Sequence, residues 1–495
     1  MNYDTYKDRV YGCWLGKMIA GNIGGPLEDC REIMDFQSLH EIAPDEMMVN
    51  DDLDVQLIWL NVLLEKGWEL TSDDLMEAFI AHYPYGPNEY GYGKRNYRRG
   101  IKPPLSGTYA NEFFMHSMGC PIRAEIWASL FPFYPEKAVE YSYMDGCIDH
   151  GAESIYAEQY TAAIECLAFS FTELTVILEY GLTFIPEESR IAGVVRTCLA
   201  WYEGGCTWKE SVTELHDTYA SNDSSISFYN FGVEILALLY GEGKFEETVL
   251  LAINGGYDTD CTAATAGSLL GIILGIDGID EKWAKPVGTR LKTACLNLGE
   301  LGNLGNQLPK DIFELQKRIE VLAPQVLSLH RADLLLGNGP TDATGELFCP
   351  DHSWLYRGPD TARFRFPFFD IDVSYENGPS IIPGTEKRIT FTVHNRYKTS
   401  ENFLIRIYSC ENSEWNVAPS SALVHVPEGI WFKNREQITF TFSFGRASDG
   451  QLTDISYRAV AEFSTPSRSG VMLVPLYFIH NPNAFTSNKG GNIPL

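Results

Sequence analysis

The sequence is poor in positive charge. Against 66 Asp and Glu it carries 38 Lys and Arg, so its 495 residues have a formal net charge of -28. A nucleic-acid binder that ignores sequence must neutralise phosphates with a broad basic footprint, and none is present. The single dense basic patch, Lys94, Arg95, Arg98 and Arg99, reads either as a solvated loop or as a contact for an anionic substrate. Long apolar runs are also lacking: no stretch reaches the ~20 uninterrupted apolar residues of a membrane span. The opening MNYDTYKDRVYG has neither the charged nor the apolar region of a signal peptide, so a cytoplasmic location with no membrane or nucleic-acid partner is expected. The 11 cysteines are an odd number without a Cys-x-x-Cys pair, which argues against a zinc ribbon or disulfide framework and for reduced thiols. No repeat of fixed period marks a solenoid or propeller.

What is present is the composition of a globular protein, 45% hydrophobic and 21% charged, in a chain too long for one ordinary core. Residues 54–64, DVQLIWLNVLL, place Val55, Ile58, Trp59 and Val62 at helical spacing, and Lys66-Gly67 supplies a stop. Similar spacing recurs in 160–171 and 231–240, so residues 1–335 read as an all-α unit. Residues 336–367 are rich in turn formers without helical period and read as a linker. Beyond it, 388–393, 403–408, 437–444, 457–463 and 471–479 alternate β-branched and aromatic residues. That pattern predicts a small, antiparallel, immunoglobulin-like sandwich over 368–482, followed by a tail, 483–495.

Two acidic clusters sit where metal chemistry would want them. Asn50-Asp51-Asp52 directly precedes the helix of residues 54–64, where acidic residues also serve the backbone dipole as caps. Asn254-Gly255-Gly256-Tyr257-Asp258-Thr259-Asp260-Cys261-Thr262 combines a glycine turn with an Asp-x-Asp step that directs oxygens at a shared point. Hard oxygen donors suit Mg²⁺ or Mn²⁺ better than zinc. Gly267, Gly271 and Gly275 then recur every fourth residue, leaving one helix face bare for close packing.

These elements together resemble the ADP-ribosylglycohydrolase family. The N-terminal pattern is Asp8-Arg9-Val10-Tyr11-Gly12-Cys13-Trp14-Leu15-Gly16, continuing to Gly24-Gly25-Pro26-Leu27-Glu28. Asn50-Asp51-Asp52-Leu53 resembles the family's Thr-Asp-Asp-Thr element, and residues 255–261 resemble its Gly-Gly-Asp-Thr-Asp-Thr element. Met118 to Ala124, leading to Asp149-His150-Gly151, resembles its central Arg-containing turn and the His-bearing segment after it. The resemblance covers about two thirds of the chain and leaves the sandwich outside. It implies a mostly helical fold with two Mg²⁺ (or Mn²⁺) ions, cleaving a glycosidic bond at C1″ of an ADP-ribosyl group on a protein or small conjugate. Carried over by position, Asn50, Asp51, Asp52, Asp258 and Asp260 are the metal ligands, and Glu28 is the residue for acid/base or water-positioning work. The chain departs from the pattern at Asn50, Leu53 and Cys261, each in place of a Thr, and at the inserted Tyr257.

A ribosyl cleavage passes through an oxocarbenium-like state, so a site must hold the sugar, activate a water and stabilise developing charge. Arg123 offers fork geometry to a diphosphate or braces the fold, and His150 reads as a substrate contact or an interior histidine. Gly256 and Tyr257 are expected at the substrate, Tyr257 stacking on it or packing the loop. Glu234 lies in an apolar helix where an unpaired charge is costly. Two other functions fit the same residues: a binding protein with a degenerate pocket, and a dinuclear-metal hydrolase of a nucleotide or phosphate ester. The sandwich is read as a domain-packing or protein- or carbohydrate-binding module, with Trp415 and Trp431 as its aromatics of interest.

Overall fold

The computed structural model describes residues 2–44, 47–49, 51–86, 88–294, 296, 307–330, 337, 352, 355–358, 360–382, 384–409, 415–429, 435–444 and 456–480. Two compact units form, Met1–Tyr356 and Arg357–Leu495. The first is helical: the expected stretches 54–64 and 231–240 lie within Asp54–Lys66 and Ser227–Tyr240, while 160–171 begins inside Ala152–Ala168 and runs past its end. Gly67 caps the first of these with φ 74°, the left-handed geometry that a helix stop at glycine uses.

The unit is organised around the pair of helices Tyr3–Gly24 and Thr259–Leu274. A Cβ added to Gly12 would lie 2.2 Å from the Gly271 carbonyl oxygen, one on Gly16 2.2 Å from that of Gly267, and one on Gly24 2.3 Å from that of Thr259. The helices therefore run antiparallel with backbone against backbone, which is the use of the small-residue face that the sequence suggests. From Gly12 onward the first helix is buried on every side, so its apolar residues need no amphipathic period. Among the described residues no helix is long and apolar enough to cross a membrane.

The basic patch is neither a solvated loop nor a free anionic contact throughout. Lys94, Arg95 and Arg98 fall on the helix Asn88–Arg98 and Arg99 just past its end; Arg98 and Arg99 are exposed, but Lys94 is buried, its Nζ donating to the carbonyls of Tyr83 (2.5 Å) and Tyr85 (2.7 Å) above the Phe79 ring. A lysine stem packs well in an apolar site when its ammonium finds acceptors.

Among its described residues the second unit holds ten strands, β1 Thr361–Phe366, β2 Phe369–Tyr375, β3 Ser380–Ile381, β4 Glu386–Asn395, β5 Glu401–Ser409, β6 Trp415–Ala418, β7 Ser421–Val426, β8 Arg435–Phe444, β9 Ser456–Ser464 and β10 Met472–His480. They form two five-stranded sheets, ordered β1-β2-β4-β8-β6 and β3-β10-β9-β5-β7. Every pairing is antiparallel except that of β3 with β10. Inward residues interdigitate between the sheets, as in Phe391 against Phe463, Phe369 against Phe403 and Phe442 against Phe478. Trp415 joins this ring cluster, stacking on Phe444 at 5.3 Å, so it packs the sandwich; Trp431 and the expected tail lie outside the described residues.

The stretch read as a linker, 336–367, is divided in the structure. Leu355 is buried with Val139, Ala163 and Phe184 of the helical unit, Tyr356 packs beside them, and Thr361–Phe366 is already strand β1. Both pieces lack a clear period because each buries only a few side chains.

Candidate functional site

The antiparallel helix pair brings the end of one helix to the beginning of the other. The chain leaving Gly24 runs through a short turn, Gly25–Leu27, to Glu28, while Asp258 caps the start of Thr259–Leu274 and Asp260 lies in its first turn. Carboxylates at this position are favoured by the unpaired N–H groups of the helix end. Thr259 Oγ1 donates to the Gly24 carbonyl at 2.8 Å, and Asn230 Oδ1 accepts from the Asp258 N–H at 3.1 Å.

A two-residue bridge holds the two loops in register. The Tyr257 N–H donates to the Cys30 carbonyl at 2.6 Å, and the Asp29 N–H donates to the Tyr257 carbonyl at 2.9 Å. Gly256 and Tyr257 both have positive φ, 74° and 66°, and at Gly256 a Cβ would stand 2.4 Å from the Glu32 carbonyl oxygen. Only glycine fits there.

Among the described residues two groupings of ligand atoms result, each within 4.8 Å: Glu28 with Asp258 and Asp260, and Asp52 with Asp260 and Cys261. Asp260 belongs to both. Asp52 comes from the turn Asp51–Leu53 and is buried, whereas Glu28 stands on an exposed rim. Crowding and burial push these acids up. The Glu28 carboxyl rises to about 7, first from desolvation and then from Asp51, Asp29 and Asp52; Asp260 rises to about 7 from desolvation, then Glu28 and Asp51. Asp258 is raised by desolvation and Asp260, Asp51 by desolvation, and Asp52 by desolvation against the opposing pull of Lys17. Burial holds the Cys261 thiol in its protonated form. Asp51 thus feels the site without joining either grouping, and Asn50 lies outside the described residues.

The trio Glu28–Asp258–Asp260 fits a hard divalent cation. It is all oxygen, no Lys or Arg among the described residues pairs with it, and Asp260 Oδ1 is buried without a hydrogen-bond partner. Such a gathering of desolvated carboxylates is costly unless a cation or protons offset it. The second grouping mixes oxygen with a thiol, which Mg²⁺ disfavours. Thr262 does not replace the missing hydroxyl: its Oγ1 donates to the Asp258 carbonyl within the helix.

Four residues expected at the substrate are enclosed instead. Arg123 is fully buried, bidentate on Asp149 at 3.0 Å and 3.0 Å and paired with Asp145 at 3.0 Å. His150 is also fully buried, its Nδ1 2.6 Å from Asp149 Oδ1; both residues brace the core because Asp145 and Asp149 need a counter-ion there. Tyr257 is buried with its ring on Tyr229 at 4.4 Å, and Gly256 shapes the turn. Glu234 is buried and raised by desolvation, then by Glu125.

Sequence reasoning missed the layer behind Asp52. Lys17 is fully buried with Nζ 2.7 Å from Glu125 Oε1, 3.0 Å from the Ile122 carbonyl and 3.8 Å from Asp52 Oδ2. Gln56 Nε2 donates to Glu125 Oε2 at 2.8 Å and to the Asp52 carbonyl at 3.1 Å. A lone lysine inside CWLGKMIAGNIGG was the available signal.

Residues 2–316 match the family model described as ADP-ribosylglycohydrolase. The chain belongs to the ADP-ribosylglycohydrolase family. Among solved structures it is similar to one titled "ADP-ribosylglycohydrolase-related protein complex", at 17% identity and TM-score 0.43, covering 65% of this chain and 99% of that one. A FixG-related protein from Vibrio parahaemolyticus matches at 11% identity and TM-score 0.18, over 23% of this chain and 99% of that one. No curated protein sequence matches the chain.

Proposed function

We propose that the helical unit is a metal-dependent hydrolase that cleaves the glycosidic bond at C1″ of an ADP-ribosyl or related ribosyl substrate. The observation that carries this reading is the convergence of Glu28, Asp258 and Asp260 within 4.8 Å, from chain segments some 230 residues apart. Mg²⁺ or Mn²⁺ held by these three would orient ribose hydroxyls and acidify a water. Glu28, on the rim, is reachable by a substrate from solvent and orients or deprotonates the attacking water. The Cys30–Tyr257 bridge holds Glu28 against the Asp pair, so the acid/base group is positioned before substrate arrives.

The test is release of free ADP-ribose from ADP-ribosyl-arginine, ADP-ribosyl-serine and O-acetyl-ADP-ribose, in Mg²⁺ and in EDTA. Release by the native protein that EDTA and Asp258→Ala abolish supports the reading. No release from any of the three, or equal release by Asp258→Ala, rejects it, and phosphate release from a nucleotide would favour a phosphoesterase.

A further inference from the structure

Asp52 already has a cation of the protein's own at ion-pair distance. Cys261 Sγ donates to Oδ1 at 3.5 Å, and the Lys17 ammonium stands 3.8 Å from Oδ2. That ammonium has no room to swing away. It is fully buried and tied to Glu125 at 2.7 Å and the Ile122 carbonyl at 3.0 Å. Glu125 is itself fixed by Gln56 Nε2 at 2.8 Å and Ser268 Oγ at 3.3 Å, and Gln56 Oε1 accepts from the Ile126 N–H at 2.9 Å. The helix pair that builds the site also fixes this lysine, because Lys17 follows Gly16, where the backbones touch.

The neighbouring trio differs in its charge partners. Glu28, Asp258 and Asp260 pair with no Lys or Arg among the described residues, and Asp260 Oδ1, in a residue 8% exposed, has no hydrogen-bond partner. One grouping is left to an external cation and the other carries an internal one. An ammonium and a divalent ion cannot share Asp52 at close range, since like charges in a desolvated site repel strongly.

We infer that this chain holds a single hard divalent cation, at Glu28–Asp258–Asp260, and that Lys17 occupies the charge position of a second ion beside Asp52. The inference rests on the reading of that trio as a cation site. It departs from the two-ion expectation that the family resemblance implies. The thiol of Cys261 contributes by replacing a hard oxygen donor, but the fixed ammonium is the deciding element.

Titrating the full chain with Mn²⁺ alone, with free Mn²⁺ followed by electron paramagnetic resonance, tests this. Asp258→Asn supplies the background from weak acidic surface sites. One ion per chain, lost in Asp258→Asn, with any second ion at least a hundredfold weaker, supports the inference. Two ions within tenfold of each other overturn it while leaving the proposed function standing; no Mn²⁺ above background overturns the cation site itself. Cys261→Thr restores an oxygen donor while keeping Lys17 and is expected still to bind one ion; two ions there would assign the effect to the thiol and reject the role of Lys17. In Lys17→Met, if folded, the stoichiometry is expected to rise to two, and a value of one rejects the assignment.

Discussion

Tyr257 and Cys30 are joined by a 2.6 Å backbone hydrogen bond that ties the loop carrying Glu28 to the turn carrying Asp258. They are far apart in the sequence, and the bridge converts two ends of a helix pair into one site. Its rigidity depends on Gly256, whose neighbours are the carbonyls of Glu32 and Cys30.

Gly256→Ala is therefore expected to lower stability by about 2 kcal/mol or more, since it combines left-handed strain with a backbone clash. Gly243 has the same φ of 74° and nothing within 4 Å, so Gly243→Ala isolates the strain. Urea unfolding of the two variants compares them. Equal losses would mean that the facing carbonyls move aside and that the bridge is soft.

Asp260→Asn is expected to change sign with the metal. At pH 8 in EDTA the variant should be more stable than the native chain, because an amide relieves the crowding by Glu28 and Asp258. In saturating Mg²⁺ the order should reverse, since ligand at a hundred times its Kd contributes about 2.7 kcal/mol that the variant does not gain. Thermal unfolding in both buffers reads this; a variant less stable in each would contradict the carboxylate crowding.

Arg123→Met should destabilise the fold by about 3–5 kcal/mol, the usual cost of stripping a buried carboxylate of its partner. The more conservative Arg123→Lys should also lose stability, because one ammonium cannot reproduce the bidentate grip on Asp149 and the contact to Asp145. A Lys variant of native stability with a raised KM would instead place Arg123 on substrate.

Acid should weaken the helical unit in two steps. His116 is held down to about 4 by burial, then by Arg190 and His150. Its neutral form is the one the folded chain favours, so this stability is complete above the ordinary value of 6.5 and is lost as pH falls from 6.5 towards 4. Asp149 is held down to about 2 by Arg123 and His150 against the opposing effect of burial, so its contribution persists above its ordinary 3.8 and disappears towards pH 2. Calorimetry should show Tm falling across the first window in the native protein and less so in His116→Gln; identical profiles would remove His116 from the account.

Much of the outline was readable because it rests on local periodicity. The helix of residues 54–64, the glycine face from Gly267 and the five strands from 388 to 479 all carry patterns that one element expresses by itself. The strands β1, β2, β3, β6 and β7 escaped because they are short, sit at edges or interrupt their alternation with Asp and Ser, as in FDIDVSY. The site was half readable: the acidic clusters announce themselves, while the enclosure of Arg123, His150 and Tyr257 depends on neighbours remote in the sequence.

What the sequence by itself determined is the set of donors and the surfaces that must meet: paired carboxylates next to turns and a helix face of glycines, because residue chemistry and spacing are local properties. What only the tertiary structure decided is which donors converge and what charge stands behind them. Gly16 against Gly267 brings Glu28 to Asp258 and Asp260, and the same contact fixes Lys17 against Asp52; electrostatic environment belongs to three-dimensional neighbours, and no spacing along the chain encodes it.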